Sequence, residues 1–205
     1  MIHVVYTNIS RFPSGSYDRL LAKASPARQN RAARYLHPED ALRCLTAGAL
    51  LTYALGSDVP EPEAAPGEKP RISSLPDFHF NLSHSGQWVV IAWGDTEVGV
   101  DVEQIPRDSS RAALARRYFT EEEQRFVLAD SIDIPRRFTE IWTKKESYLK
   151  FLGTGLGKDL RSFCVLDPDL APHFKTQSLE GGYCLSLYSE DDFCSFRMLP
   201  PSALL

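Results

Sequence analysis

Two acidic segments of the 205-residue chain hold the side chains best suited to chemistry. The first is Gly99-Val100-Asp101-Val102-Glu103, and the second is Trp142-Thr143-Lys144-Lys145-Glu146-Ser147. Alternation in the first predicts a strand with Asp101 and Glu103 on one face and Val100 and Val102 on the other. The second predicts a helix that carries a third carboxylate, Glu146, with Lys150 one turn further on. Three converging carboxylates repel one another unless a cation sits between them. Hard oxygen ligands of this kind suit Mg²⁺, and Mg²⁺ held by few carboxylates usually shares its sphere with a substrate phosphate.

Each residue also has a plainer reading. Acids at alternate strand positions commonly face solvent. Against that, Val89, Val90 and Ile91 make the neighbouring run apolar on both faces, so the sheet should be covered there. Carboxylates beside a covered sheet need a counter-charge. On the helix, Ile141, Trp142, Lys145, Tyr148, Leu149 and Leu152 fall on one stripe at about 100° per residue, with Glu146 and Lys150 at its edge. Lys145 inside that stripe is either a snorkelling stem with its ammonium at the rim or a cation pointing into a phosphate-lined cleft. His84, in Phe80-Asn81-Leu82-Ser83-His84-Ser85-Gly86, is either a structural histidine or part of a strand end where hydroxyls, imidazole and free N–H groups meet an anion. Arg28, Arg31 and Arg34 recur every third residue, and Arg43 follows on the next helix. A basic row is usually just solvated, but this one begins near a helix N-terminus and could take a phosphate monoester.

The elements that must position these groups are legible in outline. Residues 2–7 read as a strand. Ser25-Pro26 opens a helix that runs to about Leu36, where His37-Pro38 interrupts it. A second helix over 39–55 stops at Gly56. Pro60, Pro62, Pro66, Pro70 and Pro76 make 57–76 a long loop. Three β runs follow: Phe78–Leu82, Trp88–Trp93 and Glu97–Glu103, with Gly94-Asp95 as a hairpin turn between the last two. Thr120 with Glu123 forms a capping box. Pro135 precedes a long helix over 136–152 that Gly153 closes. Gly153-Thr154-Gly155-Leu156-Gly157-Lys158 follows a helix and lacks phosphate-loop spacing, so it reads as a cap and loop. The last third, with runs at Phe163–Leu166, Phe174–Leu179, Tyr183–Tyr188 and Phe193–Leu199, reads as a meander.

Composition narrows the class. Hydrophobic residues make up 43% of the chain and charged residues 24%, enough for a sizeable core. A net charge of −4 argues against a general binder of nucleic acid or anionic membrane. Cys44, Cys164, Cys184 and Cys194 show no metal-type spacing, so reduced thiols and a cytoplasmic location are expected. Met1-Ile2-His3-Val4-Val5-Tyr6 has no secretory pattern, and no apolar run approaches the ~18 residues of a membrane span.

Three segments, in this order, carry a family resemblance: Phe80-Asn81-Leu82-Ser83-His84-Ser85, Gly99-Val100-Asp101-Val102-Glu103, and Trp142-x-x-Lys145-Glu146-Ser147-x-x-Lys150. Ser25-Pro26 with its basic helix and Lys69-Pro70 in the proline-rich loop support it. Together they resemble the phosphopantetheinyl transferases of the surfactin-synthetase type. Glu68 stands where that family usually has the glycine of a G-K-P run.

The resemblance implies an α+β fold: two similar halves related by a pseudo-twofold, with antiparallel sheets and packed helices. The halves would be residues 1–103 and 104–205. It implies transfer of 4′-phosphopantetheine from coenzyme A to a serine of an apo acyl or peptidyl carrier protein, releasing 3′,5′-ADP. Asp101, Glu103 and Glu146 would hold Mg²⁺. Ser83, His84 and Lys150 would contact the pyrophosphate, Arg28 and Arg31 the 3′-phosphate, and Lys69 and Pro70 the nucleotide. Glu146 would act as base, with Lys150 and His84 stabilising the leaving phosphate. A monomer is expected, since one chain would supply the whole cleft. Arg107–Phe119, mixing cations and aromatics, is a candidate docking surface for an acidic carrier. The rival readings are a non-catalytic coenzyme A or nucleotide-binding module and a Mg²⁺-dependent nuclease or phosphatase.

Overall fold

A computed structural model describes residues 1–56, 60–65, 67–106, 111–154 and 158–205. It is an α+β structure with two sheets. The first has strand order β2-β3-β1-β7, from β1 (Ile2–Asn8), β2 (His79–Ser85), β3 (Trp88–Gly94) and β7 (Cys194–Met198). β1 runs parallel to β7, and the other pairs are antiparallel. The second sheet, β4-β6-β5, is antiparallel and joins β4 (Gly99–Gln104), β6 (Tyr183–Tyr188) and β5 (Phe174–Leu179).

Hydrophobic alternation explains how the sheets stack. Ile2, Val4, Val90 and Ala92 from the first sheet share one core with Val100, Val102, Leu185 and Leu187 from the second. On the outer side of the first sheet, Val5, Val89 and Ile91 pack against Ala47, Leu50 and Leu51 of α3 (Pro38–Leu55). β3 is therefore covered on both faces, as its unbroken apolar run requires. Three helices, α4 (Arg111–Tyr118), α5 (Glu121–Leu128) and α6 (Ile134–Leu152), enclose a third cluster with Phe174 and Tyr188. α3 and α6 both begin with proline in the first turn and stop at glycines of positive φ, Gly56 and Gly153.

Four features differ from the sequence expectation. The basic helix is shorter: α2 spans Pro26–Ala32, and another helix, α1 (Ser16–Lys23), precedes it. β3 and β4 do not form a hairpin, because both edges of β3 are taken by β1 and β2 and β4 pairs with β6. The tight hairpin is β2–β3 instead, where Gly86 has φ 50° and a side chain would strike the Tyr183 hydroxyl. Phe163–Leu166 is not a strand: its backbone is held by side chains, with Lys145 Nζ donating to Phe163 O (2.8 Å) and Val165 N donating to Glu123 Oε1 (2.8 Å). Lastly, β7 leaves the C-terminal strands and pairs with β1. Strands are thus exchanged across residue 103, since β4 joins later strands and β7 joins earlier ones.

α6 lies against β4 because Gly99 has no side chain. A Cβ there would collide with the Ser147 carbonyl oxygen and the Phe151 amide. That close approach brings the helix carboxylate and ammonium over the acidic strand. Ile141 and Leu149 are buried on the expected stripe of α6, whereas Leu152 in the last turn is exposed. No helix among the described residues is long and apolar enough to cross a membrane.

Candidate active site

Leu82, Ser83 and His84 from β2, Asp101 and Glu103 from β4, and Trp142, Glu146 and Lys150 from α6 line one cleft of about 430 Å³. Lys150 Nζ lies 2.6 Å from Asp101 Oδ1 and also donates to Ser83 Oγ (3.0 Å) and Val100 O (3.2 Å). Its three donors thus meet three acceptors. Ser83 Oγ donates to Asp101 Oδ1 (2.8 Å), and Ser85 Oγ donates to Glu103 Oε2 (2.8 Å).

The cleft is short of positive charge. Lys150 is the one cation lining it among the described residues, against three carboxylates. Burial pushes Glu146 above the ordinary carboxylate range, and the nearby Asp101 charge adds to the shift. Glu103 is raised by burial and by Asp101, against the pull of its Ser85 hydrogen bond. Asp101 is 4% exposed, and its Oδ2 has no hydrogen-bond partner among the described residues. An orphaned buried carboxylate oxygen beside two carboxyls of raised proton affinity fits a site that takes a cation. The three are not a preformed cage: among the described residues no three His, Cys, Asp or Glu side chains are already grouped to hold a metal.

His84 stands at the open edge of the cleft. Desolvation at this edge lowers the pKa of the ring, and the Arg43 and Lys150 charges lower it further, which favours the neutral imidazole. Arg43 reaches the same edge from α3, donating to Gly86 O (2.5 Å) and pairing with Asp40.

The other expected nucleotide ligands lie elsewhere. Arg28 is 5% exposed, and its Nη2 is 3.0 Å from Glu61 Oε2. With Ser25 and Glu61 it lines a separate cavity of about 460 Å³, which has no described lining residue in common with the cleft. Arg31 is exposed on α2. Lys69 turns its ammonium inward, donating to Glu97 Oε2 (2.7 Å) and Val98 O (2.6 Å). Pro70 follows it on the exposed loop.

Lys145 fits neither of its sequence readings. It is fully buried, 2.8 Å from Glu123 Oε1, and it also donates to Leu160 O and Phe163 O. The capping box predicted Glu123 as a cap but not as this partner. In the proposed docking stretch, Phe119 is fully buried in the core and Arg116 and Arg117 are exposed. Arg107 lies outside the described residues, as do Pro66 and Gly155-Leu156-Gly157. Sequence reasoning missed Glu61 and Glu97 as the partners of Arg28 and Lys69, since each is defined by a contact distant in sequence. Asn81 and Ser85 did leave a signal: with Ser83 they form a polar row at every second residue of β2.

Comparison with known proteins gives the family. Residues 97–195 match the model of the 4′-phosphopantetheinyl transferase superfamily. The chain is 35% identical over 156 residues to 4′-phosphopantetheinyl transferase Sfp of Bacillus subtilis (strain 168), covering 72% of this chain and 68% of the relative. It is 32% identical over 189 residues to 4′-phosphopantetheinyl transferase ffp of Bacillus subtilis, covering 83% and 84%. To 4′-phosphopantetheinyl transferase gsp of Aneurinibacillus migulanus it is 30% identical over 154 residues, covering 73% and 64%. Acidic strand, cationic helix and serine-histidine strand end all meet in one cleft, and the chain belongs to the 4′-phosphopantetheinyl transferase superfamily.

Proposed function

We propose that this enzyme moves the 4′-phosphopantetheine group of coenzyme A onto a serine hydroxyl of an apo acyl or peptidyl carrier protein and releases 3′,5′-ADP. The observation that carries the reading is the single cleft shared by Asp101, Glu103, Glu146, Lys150 and His84. The orphaned Asp101 Oδ2 and the raised Glu103 and Glu146 support Mg²⁺ held by these three carboxylates. Bound there, Mg²⁺ would supply Lewis-acid neutralisation of the diphosphate and a template for its oxygens.

The chain's own groups account for the rest. The serine oxygen forms a bond to the phosphorus that carries the pantetheine arm, and the bond from that phosphorus to the bridging oxygen breaks. Glu146, with its raised proton affinity, accepts the serine proton. Lys150 offers its charge, and His84 a neutral N–H, to the departing phosphate. Transfer of this type depends on alignment and charge more than on covalent help from the enzyme. Arg43, at the same edge as His84, is the best-placed arginine for a further phosphate. Arg31 is open to solvent and could reach one. Arg28 would have to release Glu61 first. Lys69 and Pro70 serve the nucleotide through loop position, since the ammonium is engaged by Glu97.

We extend the same proposal to two α+β halves, 1–103 and 104–205, related by a pseudo-twofold, and to a cytoplasmic monomer. The test is direct: coenzyme A, Mg²⁺ and an apo carrier are incubated with the protein, and the carrier is weighed. A phosphopantetheine adduct on the carrier serine is expected. Tight coenzyme A binding with no adduct on any carrier would favour a binding module.

A further inference from the structure

Asn81, Ser83 and Ser85 project from alternate positions of β2 towards β4, the nearest strand of the other sheet. Asn81 Oδ1 accepts from Val100 N (2.9 Å), Ser83 Oγ from Val102 N (3.3 Å) and Ser85 Oγ from Gln104 N (3.3 Å). Three side chains thereby replace a neighbouring strand's carbonyls, and the two sheets are joined without a shared backbone ladder. The matching two-residue period puts each serine beside an acid of β4. Ser83 donates its proton to Asp101 and Ser85 donates its proton to Glu103.

A hydroxyl has one proton and two lone pairs. Ser83 Oγ spends all three, on Asp101, Val102 N and Lys150 Nζ. Ser85 Oγ spends its proton on Glu103 and one lone pair on Gln104 N. The Ser85 hydroxyl, which is not among the residues lining the cleft, has no proton left for a phosphate oxygen.

We infer that Ser85 is a positioning residue for Glu103, one of the metal-binding carboxylates, and not a ligand of the diphosphate: its strut fixes that carboxylate from the opposite sheet and so sets the affinity for the divalent cation. The inference rests on the carboxylate site described under the proposed function. Hydrogen-bond partners of metal-ligating groups are typically worth roughly 10–100-fold in metal affinity.

Mn²⁺ titration by electron paramagnetic resonance, on protein saturated with coenzyme A and lacking carrier, reads this without turnover. Ser85→Ala should weaken Mn²⁺ binding by roughly tenfold or more. Its coenzyme A affinity in metal-free buffer should stay at the parent value, and Ser85→Thr, which keeps the hydroxyl, should restore Mn²⁺ binding. Ser85→Cys, a weaker donor of similar size, replaces Ser85→Ala if the latter melts early, and should show an intermediate loss. Unchanged Mn²⁺ affinity in the alanine and cysteine variants would overturn the inference. So would a loss of coenzyme A affinity in metal-free buffer, which would make the hydroxyl a substrate ligand. Failure of the parent protein to bind Mn²⁺ at all would instead remove the carboxylate site itself.

Discussion

Lys145 and Glu146 are neighbours on α6 and occupy opposite electrostatic worlds. Lys145 enters the core, where Glu123 and two carbonyls satisfy its ammonium. Burial still lowers its pKa, against the support of Glu123. Glu123 is equally enclosed, and it accepts from Thr120 N and Val165 N as well. Every strong polar group there has a partner, so the ensemble pins α5, α6 and the 160–165 segment together. Glu146 faces the cleft, where burial and Asp101 raise its proton affinity and no hydrogen bond to its side chain is present among the described residues. A buried charge that is fully paired holds structure in place; one left short of partners is available for a ligand.

Three substitutions break that contrast in turn. Glu146→Ala and Asp101→Ala should leave the melting temperature near the parent value. Carrier modification, followed by mass, should fall by roughly 10²–10⁴-fold, the range for losing a positioned acid–base or charge-stabilising group. Near-normal transfer by either variant would remove the cleft from the chemistry. Lys145→Met should do the reverse. Stranding Glu123 in the core should cost about 3–5 kcal/mol in urea unfolding, and Lys145→Met with Glu123→Gln should regain part of it. A Lys145→Met protein of parent stability would show the pair to be dispensable.

The smallest effect separates a third cluster. Glu97 gathers Lys69, Arg71 and His79 beside the proline-rich loop. Burial alone would raise its pKa, but the bonds and charges of Lys69 and Arg71 hold it at about 2 against an ordinary 4.5. The unfolded chain therefore takes up this proton first as pH falls. Stability from Glu97 is complete above pH 4.5 and is lost progressively towards pH 2. Glu97→Gln should lower the melting temperature by about 2–4 °C at neutral pH, the part-exposed carboxylate being screened by solvent. Its deficit against the parent should shrink through that acid window. A deficit independent of pH would mean that the lost contribution is packing and not charge.

Much of the local structure was legible. Proline and glycine punctuate α3 and α6, and the Thr120–Glu123 box opens α5, because these signals act within one turn. The unbroken apolar run of β3 announced a strand covered on both faces. Pairing was not legible. β4 lies next to β3 in sequence but against β6 in space, and β1 takes β7 from the far end of the chain. α1 was missed because it spans only eight residues, too few turns for its apolar stripe of Tyr17, Leu20 and Leu21 to stand out.

The order of residue types along the chain determined which groups could do chemistry: alternating acids at 101 and 103, an acid and a lysine one turn apart at 146 and 150, a polar row at 81, 83 and 85. Those are matters of period, two in a strand and 3.6 in a helix, and period survives in one dimension. Which charge faced the cleft and which the core was decided only by packing. Gly99 admitted α6 onto β4, Glu123 claimed Lys145, Glu61 claimed Arg28 and Glu97 claimed Lys69. Each of those choices depends on a partner far away in the chain, and burial makes an unpaired charge too costly to leave to chance.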